Sequence, residues 1–191
     1  MFCICNTISI TYLSKHAYYI KILYELNMWN KINKEAELLY NNCIKKGIFI
    51  TTAESCTGGL IASSIVSVSG SSNIFKSSLI TYSNEMKIKL LNIDSEIIEI
   101  NGAVSEIVAT QMAENILDIL DADVSIAVTG IAGPGGGSND KPIGLVWIAI
   151  GNKDLTITEK FLFSGNRLDV RQKTTLEALK IANSVIINTK F

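Results

Sequence analysis

Over residues 29–46 apolar positions recur at helical spacing, with Ile32, Ala36, Leu39 and Cys43 on one face and Gly47 as a stop. The period then shortens. Residues 48–52 ("IFITT") read as a β-branched strand, and after Gly58 and Gly59 the apolar run 60–66 reads as a helix. The pattern predicts a second strand over 77–83 and a short helix over 84–91 capped by Ser83 or Asn84. A longer helix starts near Ser105, where Val108, Met112, Ile116 and Leu120 recur every four residues. Residues 122–130 carry almost no charge and read as a third strand buried on both faces. The runs 143–150 and 155–163 are strand-like, and the Gly151, Asn152, Lys153, Asp154 spacer between them suits a hairpin. A helix over 167–188 closes the pattern, with Leu176, Leu179, Ala182 and Ile186 toward the core.

This alternation predicts an α/β fold, a three-layer α/β/α sandwich around a mixed, mostly parallel sheet. Ligands in such sheets bind at the carboxyl ends of parallel strands. Ser55 and Thr57 follow the first strand, Tyr82 ends the second and Thr129 ends the third, so parallel pairing would bring them to one edge. With 191 residues, 48% of them hydrophobic, the chain can bury one sizeable core. Residues 28–191 are expected to form that domain, with 1–27 an amino-terminal extension and Met28 the working start. The extension is apolar and aromatic, yet Asn6, Thr7, Ser14, Lys15 and His16 interrupt any run long enough to span a bilayer. Its alternative reading is an amphipathic helix over 12–26 packed on the domain.

The 17 basic and 18 acidic residues give a net charge of -1 without a run of either sign, which excludes the electrostatic footprint of a nucleic-acid or membrane-surface binder. A small-molecule partner is expected. The four cysteines (Cys3, Cys5, Cys43, Cys56) show neither a CxxC pair nor a companion histidine motif, so no metal site is expected. They read as reduced thiols of a cytoplasmic protein.

His16 is the only histidine, so a Ser/His/Asp or Cys/His hydrolase lacks a credible base. A lysine serves instead when burial or a neighbouring cation lowers its pKa. Lys87 is the best placed, one helical turn after "TYSN", with the Tyr82 hydroxyl as relay or second donor. Ser55, in "TTAESCTGG", reads either as a helix cap or as a nucleophile, and the two roles compete for one oxygen. If Thr57 caps, Ser55 is free and the N–H groups of 56–59 can form an oxyanion hole. Cys56 is a rival nucleophile or a buried packing residue. The loop "TGIAGPGGGSNDKP" (129–142) is neither a Walker A loop nor a GxGxxG turn; it is a flexible connection or a nest of N–H groups. Arg167 and Arg171, four apart at a helix start, are surface residues or a bidentate phosphate clamp.

Taken together, "TTAESCTGG", "TYSNEMK", "GAVSE", "TGIAGPGGGS" followed by "KPIGLVWIAI", and "FSGNRLDVR" resemble the carboxy-terminal domain of the CinA family, which also occurs as a stand-alone nicotinamide mononucleotide deamidase. The likeness runs from about Met28 to the end. It implies hydrolysis of the carboxamide of nicotinamide mononucleotide, in pyridine nucleotide salvage, without a metal or redox cofactor. By motif it implies Ser55 as nucleophile, Lys87 as base and Tyr82 as assisting hydroxyl. It implies substrate binding by Thr57, Gly58 and Gly59, by Thr129, Gly130 and Gly133 of the glycine loop, and by Arg167 and Arg171. A homo-oligomer is expected. One departure is Asn166, where the family pattern has an acid before the first arginine. The alternative to the amidase is a catalytically silent module that keeps the pocket for binding.

Overall fold

The computed structural model describes the backbone of residues 4–190 and the side chains of Leu23 and of 25–190. The readings placed on Cys3, Cys5 and His16, and on the packing of most of 12–26, fall outside the described residues. The chain divides into two units, 1–31 and 32–191. Among the described residues no helix is long and apolar enough to cross a membrane.

Five strands form one sheet in the order β2-β1-β3-β4-β5. They are β1 (Ile50–Glu54), β2 (Phe75–Ile80), β3 (Val124–Gly130), β4 (Leu145–Asn152) and β5 (Thr156–Leu162). β1 pairs parallel with β2 and β3, whereas β3 with β4 and β4 with β5 are antiparallel. The sheet is therefore mixed, with its pairings divided evenly. The helices are α1 (Ile4–Lys46), α2 (Leu60–Val66), α3 (Asn84–Leu91), α4 (Ser95–Asn101), α5 (Glu106–Leu120) and α6 (Arg167–Asn188), of which α2, α5 and α6 pack on the strands.

Residue size explains how closely α5 approaches its face. Ala53, Ala127 and Ala149 sit side by side across β1, β3 and β4. This row of methyl groups receives Val108, Ala109, Met112, Ala113 and Ile116 of α5, with Leu91, Ile93 and Ile98 closing the cluster. On the opposite face α6 packs against β3 and β4 and α2 against β1 and β2. The buried Asn183 of α6 bonds there to Asn42 and to Glu35.

Most expected elements are present, with instructive shifts. β1 runs two residues further than the β-branched run, because Glu54 is buried inside the ladder. β2 ends at Ile80, so Tyr82 lies beyond it. The chain leaves the sheet where Thr81 donates its N–H to Glu54 O at 2.8 Å and turns its carbonyl to a side chain. The β4–β5 turn is tightened by Asn152, whose Oδ1 accepts from the N–H groups of Asp154 and Leu155. α4 was not expected from the pattern; Asp94 caps it by accepting from Glu96 N–H at 2.9 Å.

Candidate active site

β1, β2 and β3 point the same way, so the residues that follow them collect at one edge. Ser55 continues directly from β1, its N–H donating to Val128 O at 3.1 Å. The chain then closes a turn in which Gly58 N–H donates to Ser55 O at 3.1 Å, and α2 begins at Leu60.

A helix start leaves N–H groups in need of acceptors. Neither Ser55 nor Thr57 supplies one. The carboxylate of Glu54, fully buried, accepts from the N–H groups of Gly59 at 2.9 Å, Ile61 at 3.2 Å and Ala62 at 2.8 Å. The position before α2 is Gly59 at φ +89°, a left-handed backbone that L side chains rarely adopt, so glycine stands where a local capping side chain would otherwise sit. Ser55 Oγ is thereby free of the capping role, and Thr57 Oγ1 is buried with no hydrogen-bond partner among the described residues. The amides expected to form an oxyanion hole are reduced to two. Those of Gly58 and Gly59 are engaged, while those of Cys56 and Thr57 make no backbone hydrogen bond.

Lys87 reaches the same point from α3. Ser83 caps that helix by accepting from Met86 N–H, which sets Lys87 on the turn facing β1. Its Nζ lies 3.0 Å from Ser55 Oγ and donates to Thr81 O at 2.8 Å. Only 1% of the residue is exposed, and burial lowers its pKa from 10.5 to about 8. An amine with one N–H fixed on a carbonyl can turn its lone pair to the serine hydroxyl. Cys56 is driven the other way: burial, with a contribution from Glu54, pushes its thiol up to about 12. That environment makes a packing residue rather than a nucleophile.

Tyr82 is 59% exposed, and its hydroxyl accepts from Arg167 Nη2 at 2.7 Å rather than touching Ser55 or Lys87. Arg167 also donates through Nη1 to Gly133 O at 2.9 Å, which ties the glycine loop to the β2–α3 turn. Arg171 donates through Nε and Nη2 to Thr57 O at 3.1 and 2.6 Å. Thr129, buried at the end of β3, donates to Ala103 O at 2.8 Å. Gly130 is required by close approach, since a Cβ there would sit 2.8 Å from Leu145 O. Asn166 caps α6 in a reciprocal box with Asp169, so the departure from an acid at 166 leaves the helix start intact.

Ser55, Cys56, Tyr82, Ala103, Thr129, Gly130 and Arg167 line a pocket of 230 Å³. Ala132 and Arg167 also line an adjoining cavity of 650 Å³ that continues over Gly133, Gly165 and Arg171. A further cavity of 530 Å³ lies at the opposite end of the sheet, around Asp118, Asp121 and Asp154, and contains none of the candidate residues. Among the described residues no group of three or more His, Cys, Asp or Glu is arranged to hold a metal ion. Glu54 is the residue that sequence reasoning missed. Its signal is a carboxylate at the end of an otherwise uncharged strand, immediately before the serine.

Comparison with known proteins gives the family. A family model described as the CinA C-terminal domain matches residues 32–186. A putative competence-damage inducible protein of Caldicellulosiruptor saccharolyticus is 43% identical over 152 residues, 80% of this chain and 37% of that protein. A CinA-like protein of Endomicrobium trichonymphae is 48% identical over 138 residues, 72% of this chain and 32% of that protein. The chain thus spans about a third of the length of these curated relatives. Among solved structures, a competence/damage inducible protein of Agrobacterium tumefaciens superposes with a TM-score of 0.78 at 37% identity, covering 79% of this chain and 93% of that one. A competence or damage-inducible protein of Enterobacter asburiae gives 0.79 at 34% identity, covering 81% and 98%. The chain belongs to the CinA C-terminal domain family.

Proposed function

We propose that this chain hydrolyses the carboxamide of nicotinamide mononucleotide to nicotinate mononucleotide and ammonia, with Ser55 as nucleophile and Lys87 as general base. The observation that carries the reading is the 3.0 Å approach of a buried, pKa-lowered lysine amine to a serine hydroxyl at the carboxyl edge of parallel strands. Family membership supports it, since the family is associated with this deamidase activity.

Neutral Lys87 takes the Ser55 proton as Oγ attacks the carboxamide carbon. The N–H groups of Cys56 and Thr57 receive the developing oxyanion. When the C–N bond breaks, the Lys87 ammonium returns its proton to the departing amine, so ammonia leaves and an acyl-serine remains. Water then attacks the ester with Lys87 again as base, which releases the carboxylate and restores the hydroxyl. The pyridine ring occupies the 230 Å³ pocket beside Thr129 and Tyr82, and the ribose phosphate extends past Arg167 into the adjoining cavity.

Ammonia release from nicotinamide mononucleotide by the purified chain, beside Ser55→Ala and with nicotinamide and glutamine as controls, tests this. Activity lost in the variant is expected. A folded wild type that binds the nucleotide without releasing ammonia would leave only a binding role.

A further inference from the structure

We propose that Glu54 and Arg171 form a two-sided brace on the loop 55–59, and that Arg171 is a positioning residue of this loop rather than a ligand for the substrate's phosphate. The kinetic arm of the proposal rests on the deamidase reading.

Glu54 holds the loop from inside the sheet. Its two oxygens accept three N–H groups from the start of α2. Thr52 Oγ1 lies 3.3 Å from Glu54 Oε1 and 2.6 Å from Ser78 Oγ, which fixes the carboxylate in turn. The strand that delivers Ser55 is thus bonded to the helix that follows it. Without that acceptor the hydroxyls of Ser55 and Thr57 become the nearest replacements, and a serine drawn into capping leaves Lys87.

Arg171 holds the loop from α6. Two of its N–H groups converge on Thr57 O. The same peptide group is held at its other end, where Gly58 N–H donates to Ser55 O. Its plane is therefore fixed, and with it the direction of the preceding amides that are free to meet an oxyanion. A phosphate drawing on Nε and Nη2 would compete with this contact. Arg167, which lines both cavities, is engaged as well, but with Gly133 O and the exposed Tyr82 hydroxyl, so a phosphate drawing on it would leave the carbonyl of the 55–59 loop held. A lysine at 171 cannot reproduce two converging N–H groups.

The test compares wild type with Arg171→Lys, Glu54→Gln and the double variant, each checked for folding by circular dichroism and melting. Positioning errors near 1 Å cost rates of the order of 10²-fold, so kcat should fall roughly 10- to 100-fold with KM within about twofold. Because both residues serve one loop, the double variant should lose little beyond the worse single. A raised KM with kcat retained in Arg171→Lys would return that residue to a ligand role. Fully multiplicative losses, or unchanged kcat in either folded single variant, would also overturn the brace. If Glu54→Gln does not fold, Arg171→Lys decides alone. The rate at which a fluorophosphonate labels Ser55, slowed at least tenfold in Arg171→Lys if the brace is correct, reads the same geometry without the nucleotide. A wild type that labels but releases no ammonia would sink the deamidase reading and leave the brace to the labelling comparison; equal labelling of wild type and variant would sink the brace.

Discussion

The most direct perturbation is pH, because the proposed base is a lysine working far from its ordinary range. Lys87 titrates at about 8 instead of 10.5, with desolvation as the leading cause. At pH 7 an ordinary lysine side chain is neutral in roughly one molecule in 3,000, whereas one titrating near 8 is neutral in about one in 10. Burial therefore supplies about 300-fold more of the reactive form at neutral pH. The expected profile of kcat/KM rises about tenfold per pH unit below 7 and flattens above about 8. Initial rates of ammonia release between pH 5.5 and 9.5, at substrate well below KM, measure it. Lys87→Met should remove the rising limb and lower kcat/KM by roughly 10²- to 10⁴-fold. A profile flat between pH 6 and 8 in the wild type, or an unchanged limb in Lys87→Met, would refute the assignment of Lys87 as base.

The same lysine also links stability to pH. Its folded pKa lies below its unfolded one, so the unfolded chain binds more protons between about 8 and 10.5 and the wild type gains stability over Lys87→Met as pH rises through that window. The gain is about 3 kcal/mol and is lost again as pH falls to 8; urea melts of both proteins at pH 7.5 and 10.5 measure it. Cys56→Ala should keep ammonia release within about twofold at a stability loss of about 1 kcal/mol, and abolished activity in a folded variant would reinstate the thiol as nucleophile. Gly144→Ala should destabilise by more than about 2 kcal/mol, since Gly144 has φ +91° and its Cβ would run into the Phe163 carbonyl, a shift that thermal melting reads directly.

The hydrophobic pattern indicated the strands, since β3 is an uncharged, largely β-branched run and α5 keeps a four-residue repeat, but not their pairing: the sheet expected to be mostly parallel has two parallel and two antiparallel pairs. It also indicated the Ser55–Lys87 edge, since Ser55 directly follows β1 and Lys87 lies on the short helix that follows β2. Three features escaped it for physical reasons. Glu54 reads as a strand terminator until its carboxylate is seen to cap a helix from within the sheet. α4 is a short helix of mixed polarity whose cap, Asp94, resembles any loop acid. The partners of Tyr82 and Arg171 lie 85 and 114 residues away, and such pairings are set by tertiary packing that no local spacing encodes.

That distance bears on the order in which the protein becomes competent during synthesis. Ser55 and Lys87 lie 32 residues apart, the first directly after β1 and the second on α3 after β2. The arginines that hold Thr57 and Tyr82 emerge only with α6, after the whole sheet. The bond from Ser55 N–H to Val128 O means that β3 too must be in place before the hydroxyl is positioned, and Arg171 comes later still. On the proposed brace, a chain that stops short of α6 would carry Ser55 and Lys87 without the contact that fixes the loop between β1 and α2.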